Sequence, residues 1–183
     1  MQRIEPVNQA AVAPKTAELL DAVKKQMGGV PNILATMAQS SAALGGYLGF
    51  AGALAAGTLS AQLREQIALA VAGANQCDYC ASVHTTVGGM VGLSAEELAA
   101  NLRGRSSDRK VSAALSFVRH IVATRGHVGD AELSAVRGAG FSDEEIVEII
   151  ANTALNIFTN YFNHVARTEI DFPVVDTTAV EAA

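Results

Sequence analysis

From residue 26 to residue 63 the chain carries no charged side chain. A stretch of that length has to find cover in protein or in lipid, which restricts the folds open to it. Within it, residues 42–59 are apolar, with glycines at 45, 46, 49, 52 and 57, a pattern that lets helix backbones approach closely. One reading is a membrane-spanning helix with small-xxx-small packing. The other is a helix buried in a core or a subunit interface. The segment holds few Leu, Ile or Val, and no Lys, Arg or Trp brackets its ends as the anchors of a spanning helix would. A protein-buried helix is therefore expected, and no membrane partner.

Helical spacing and helix-start signals recur along the rest of the chain. Pro14 opens a segment with Leu19, Leu20 and Val23 on one face, stopped by Gly28-Gly29. Asn32 can cap a short helix. Ser60 can cap one that carries Leu63, Ile67, Ala70, Val71 and Ala74 at intervals of three and four. Asn75 can cap the next, to about residue 91. Ser94 with Glu97 and Ser142 with Glu145 both read as capping boxes. Further helices are expected over 107–124, 130–136 and 143–169, with a flexible tail over about 174–183. No run of alternating β-branched residues suggests a strand. The expected fold is all-α: one compact helical domain over residues 1–183, with no linker that would divide it.

Charge narrows the partners. The formal net charge is −5, and the 13 Lys and Arg are dispersed, so the basic stripe that would neutralise nucleic-acid phosphates is missing. The opening residues Met1-Gln2-Arg3-Ile4-Glu5-Pro6 lack the apolar run of a secretory signal, and a cytoplasmic location is expected. There, a cysteine pair is more often catalytic or metal-binding than a structural staple.

The chain has two cysteines, Cys77 and Cys80, three positions apart. A C-x-x-C pair at a helix start can close a disulfide with little backbone movement, and the positive end of the helix favours a thiolate there. His84 follows Cys80 by one helical turn and shares its face. An imidazole, with an unperturbed pKa of about 6.5, can take a thiol proton near neutrality. If the turn between two antiparallel helices falls at residues 73–75, positions summing to about 149 lie at one height. Glu65 and His84 satisfy that sum, so the carboxylate can face and orient the imidazole. The dipole alone favours Cys77 as nucleophile by about 0.3–1 kcal/mol. A nearby base shifts a thiol more than that and favours Cys80.

The pattern Glu65-x11-Cys77-x2-Cys80-x3-His84, with Asn75 ahead of the first cysteine and Tyr79 before the second, resembles the alkyl hydroperoxidase D-like branch of the carboxymuconolactone decarboxylase superfamily. The motif match covers roughly residues 45–95. The closing stretch from Asn160 to Pro173 is similar to the end of the branch's peroxidase-related members. The resemblance implies a peroxidase or disulfide reductase with a central antiparallel helix hairpin, assembled as a homo-oligomer, a trimer or hexamer. It implies Cys80 as the peroxide-attacking thiol, Cys77 as its resolving partner, and Glu65 with His84 as a proton relay. A hydroperoxide would be the substrate, an external dithiol or thioredoxin-like protein the reductant, and no cofactor is implied. The best-known members carry histidine where this chain has Tyr79, and a phenol with a pKa near 10 cannot shuttle protons as an imidazole can.

Rival readings have distinct signatures. Two cysteines, a histidine and a glutamate could bind zinc, but structural zinc sites draw their ligands from two knuckles. A non-redox decarboxylase of the same superfamily needs no dithiol. A redox-sensing oligomer would not turn over. His120 and His127 read as solvated. The stretch Asn160-Tyr161-Phe162-Asn163-His164 could line a pocket or form a subunit contact, and the contact is favoured, since aromatic stripes on helices are more often packing than chemistry.

Overall fold

A computed structural model of the chain describes residues 1–181. They form ten α-helices and one short 3-10 turn, Gln9–Ala11, with no strand among them: α1 (Pro14–Met27), α2 (Asn32–Met37), α3 (Ser41–Ala55), α4 (Ala61–Asn75), α5 (Asp78–Met90), α6 (Ala95–Leu102), α7 (Arg109–Thr124), α8 (Asp130–Gly138), α9 (Asp143–Ala166) and α10 (Thr177–Glu181).

The centre is α4, which packs against α5, α6, α7 and α9. Every residue from Gln66 to Gly73 is buried, as expected of a helix that is apolar all round. One side, with Leu69 and Ala72, joins a cluster with Leu20, Leu44, Leu98 and both cysteines. The other side, with Ile67 and Val71, packs on Leu115, Val118, Val136 and Ile149. Closest approach falls at Gly73, where an added Cβ would lie 1.9 Å from the carbonyl oxygen of Leu102.

The turn from α4 to α5 sets the cysteines in place. Here α4 runs through Asn75, so Asn75 does not cap the next helix. Gln76 takes the left-handed conformation (φ 54°). Its amide and that of Cys77 return to the carbonyls of Gly73 (3.2 Å) and Ala72 (2.9 Å), the pairing of a Schellman turn. Cys77 then becomes the N-cap of α5. A single residue thus closes one helix with its amide and opens the next with its carbonyl, which accepts from Ala81 at 2.9 Å.

Other boundaries follow the expected caps with three differences. Ser60 and Ser142 accept from Leu63 and Glu145, and Glu145 reaches back to the amide of Ser142 at 2.7 Å. Ser94 caps α6, but Glu97 closes no reciprocal box. Its carboxylate instead accepts from Gln66, Asn101, Ser106 and Ser107. Partial burial works against its charge, yet those donors outweigh burial and hold the carboxyl at about 2. Asn32 lies inside α2, capped at Pro31, and donates to the carbonyl of Glu169 at 3.0 Å. The expected tail carries contacts: the amide of Val175 donates to Ser82 Oγ (2.9 Å), and Thr177 donates through its amide and hydroxyl to Asp78 Oδ1 (2.9 and 2.7 Å). Residues 182 and 183 of that tail lie outside the described residues.

The uncharged helix is less covered than its composition suggests. In α3 only Leu44 and Leu54 are buried, while Gly46, Gly49, Phe50 and Ala53 face outward. Beside it, α9 exposes Val147 and Ile150 near its start and Phe158, Tyr161 and Val165 in its second half. The expectation of full burial therefore fails within one chain. No helix among the described residues is long and apolar enough to cross a membrane.

Gly73→Ala is expected to destabilise the fold by about 1–3 kcal/mol or more, because its methyl meets backbone rather than a movable side chain. A thermal melt followed by circular dichroism measures it; an unchanged midpoint would contradict this packing.

Candidate active site

Both cysteines are reduced and buried, each 2 % exposed. Their environments differ. Cys80 Sγ accepts a hydrogen bond from Asn163 Nδ2 on α9 at 3.2 Å. The Cys77 thiol donates to it as well, and with the Asn163 amide outweighs the cost of burial, while the Thr159 hydroxyl is given to the carbonyl of Asn156 at 3.0 Å. The result is a Cys80 thiol held below its ordinary range. Cys77 is pushed far upward, first by donating to Cys80 and then by burial. One negative charge on two adjacent sulfurs settles on the one with the donors.

Asn163 belongs to a polar stripe that α9 turns inward. Asn152, Asn156, Thr159, Asn160 and Asn163 are all buried. Asn152 and Asn156 donate to carbonyls of their own helix, Glu148 and Asn152. Asn160 Oδ1 accepts from the side chain of Asn75 at 3.1 Å, and its Nδ2 has no partner within hydrogen-bond distance. Asn160 and Asn163 face the sulfur, Tyr161 faces outward, and His164 Nε2 is 2.9 Å from the carbonyl oxygen of Asn75. The available signal was asparagine at 152, 156, 160 and 163, one helix face holding amides where a packing face would hold aliphatics.

Glu65 and His84 meet across the α4–α5 hairpin, Oε2 to Nδ1 at 2.8 Å, where the height argument puts them. Their side chains are 18 % and 22 % exposed. Among the described residues, no hydrogen bond joins His84 to Cys80. The imidazole stands on the wall of a cavity that Cys80 also lines, so a proton passing between them crosses that space. In place of the expected imidazole, the amide of Asn163 on α9 bonds the sulfur.

Tyr79 acts as a strut. Its hydroxyl donates to Asp171 Oδ1 (2.8 Å) and accepts from the amide of Ile33 (3.1 Å). The ring meets Phe172 edge-on at 6.3 Å. Burial pushes the phenol further above its ordinary value, which removes it from proton transfer. Asp171 Oδ2 also accepts from the amide of Asn32 at 2.9 Å. The start of α2 and the C-terminal strap are thus sewn to the residue between the cysteines.

The cavity has a volume of about 720 Å³. Leu19, Val23, Leu48 and Ala51 form apolar wall, while Tyr47, Arg64, Glu65, Cys80, His84, Asn156 and Thr159 gather polar atoms. Cys77 is not part of the lining. Sequence reasoning missed Tyr47, hidden in the uncharged helix. Among the described residues no group of three or more His, Cys, Asp or Glu side chains could hold a metal ion. The zinc alternative has no ligand set. His120 is exposed and bonded to the carbonyl of Ser116, and His127 is exposed.

Residues 41–124 match the model of the carboxymuconolactone decarboxylase family. No curated protein matches the chain in sequence. Among solved structures, a peroxidase-related protein from Ralstonia eutropha JMP134, described as an alkylhydroperoxidase AhpD core, is 23% identical with a TM-score of 0.85, over 93% of this chain and 92% of that one. A peroxidase-related protein from Silicibacter sp. TM1040 is 21% identical, with a TM-score of 0.79 over 91% of each chain. The debrominase Bmp8, in complex with 2,3,4-tribromopyrrole, is 19% identical, with a TM-score of 0.79 over 98% of this chain and 95% of that one. At such identities the likeness is one of fold. The segment that matches the carboxymuconolactone decarboxylase family model spans the helices that carry Glu65, both cysteines and His84, and the chain as a whole shares the fold of the alkylhydroperoxidase-like structures.

Proposed function

We propose that this protein is a thiol peroxidase. The observation that carries the reading is the asymmetry of the sulfurs: Cys80 has the donors and opens on the cavity, whereas Cys77 lies behind it. A thiolate is the nucleophilic form of cysteine. Attack on a hydroperoxide forms a sulfenic acid on Cys80 and releases an alcohol. The Cys77 thiol then displaces water from that sulfenic acid, closing the disulfide. An external dithiol returns both thiols. Glu65 orients His84 at the cavity wall, where the imidazole can exchange protons with substrate and solvent.

A second reading is favoured by the cavity's apolar wall. A thiolate facing a bound aromatic halide could remove the halogen reductively with the same dithiol, and the debrominase Bmp8 shares the fold. A non-redox decarboxylase leaves the paired sulfurs without a task.

The outer face of α3 and α9 bears on assembly. It joins Phe50 and Phe158 to Val147, Ile150, Tyr161 and Val165 in an exposed apolar surface of the kind that marks interaction sites. We read its occupant as a second copy of this chain, since α3 offers no charge to pair with a polar partner. Sedimentation should show a trimer or hexamer that Val147→Glu weakens. A wild-type monomer would contradict this.

With excess dithiol, the wild type should consume many equivalents of an organic hydroperoxide and release no halide from a bromoarene. Cys77→Ser should hold a sulfenic acid at residue 80 without turnover. Cys80→Ser should react at least about 10-fold more slowly, through the protonated Cys77. Halide release without peroxide consumption would favour the second reading; consumption of a single equivalent would mark a sensor.

A further inference from the structure

Between residues 42 and 57 one side chain alone has a hydrogen-bonding atom, and it is Tyr47. The helix that carries it forms part of the cavity wall, and Tyr47 enters the same cavity as Cys80, Glu65 and His84. Its ring is fixed from behind by Phe158, centroid to centroid at 6.5 Å. Among the described residues its hydroxyl has no hydrogen-bond partner, although the residue is only partly exposed. A phenol in a largely apolar enclosure normally finds a partner. Here the open position is the cavity itself.

We propose that Tyr47 donates the proton to the oxygen that leaves when Cys80 attacks a hydroperoxide. The inference rests on the peroxidase reading and adds a catalytic residue to it. In R–O–O–H, Cys80 Sγ bonds to the terminal oxygen as the O–O bond breaks. The sulfur is oxidised by two electrons to the sulfenic acid, and the bonding pair stays on the inner oxygen as RO⁻. That alkoxide is a far stronger base than a phenolate, and it takes the Tyr47 proton to leave as ROH. Water entering the cavity then returns a proton to the phenolate.

Burial, with the charges of Cys80 and Glu65, pushes the Tyr47 phenol up to about 12. The group therefore keeps its proton when Cys80 first ionises, and it does not compete with the thiol as an acid. His84 is differently placed, because its Nδ1 is engaged by Glu65. It suits proton exchange with solvent, while the phenol is uncommitted.

Tyr47→Phe keeps the ring and its contact with Phe158 and removes one oxygen. The measurement is the rate of sulfenic acid formation on Cys80, by rapid quench and intact mass, with two oxidants. Loss of tert-butyl hydroperoxide's alkoxide needs a proton; loss of peracetic acid's carboxylate needs none. The variant should lose about 10- to 100-fold with the first and less than about threefold with the second. Equal losses with both, or no loss with either, would overturn the role of Tyr47 and leave the peroxidase reading standing. A wild type that reacts with neither oxidant faster than a free thiol would overturn both.

Discussion

Cys80 is almost wholly buried, and a charge on its sulfur is tolerable only because hydrogen-bond donors converge on it. An unsupported buried anion would take up a proton instead. Supplying those donors requires three parts of the fold to meet within hydrogen-bond distance. The Schellman turn at Gln76 sets Cys77 beside Cys80. The inward face of α9 brings the amide of Asn163. The C-terminal strap pins the first turns of α5 through Asp78, Tyr79 and Ser82.

How much of this was legible in the sequence depended on whether the signal was local. Helix positions followed from spacing and capping residues, and the Glu65–His84 pair from the geometry of a two-helix turn. Both rest on residues close along the chain. Asn163 is 83 positions from Cys80, and although asparagines at 152, 156, 160 and 163 mark one face of the helix, they do not say which distant atom that face meets. Asn75 and Glu97 show the related failure. Each sits at a position typical of a cap, and in each a distant partner, Asn160 or Ser106 with Ser107, takes the side chain instead. The outward face of α3 was unreadable for another reason: composition reports that a helix shuns water, not whether its own chain covers it.

Fold and chemistry separate cleanly among the structures that share this helical frame. A peroxidase-related protein and a debrominase both overlay most of this chain, so the helical frame does not choose the reaction. The choice lies in the cavity, in what the thiolate faces and which groups can give or take a proton there. Tyr79, in the position where the best-known members resembling this chain carry histidine, is bound to Asp171 and Ile33 and serves as structure.

The ionisation of Cys80 is the most direct test. Alkylation of the reduced protein across pH, mapped to each cysteine by mass spectrometry, reads it without assuming a substrate. Cys80 should react first, with an apparent pKa below the ordinary thiol value of about 8.5. In Asn163→Leu, which removes the amide donor, that pKa should rise by about one to two units, the scale of a hydrogen bond to a charged group. If Cys77 is alkylated first, or Cys80 titrates at or above the ordinary value in the wild type, α9 does not hold a thiolate and this account of the site is wrong.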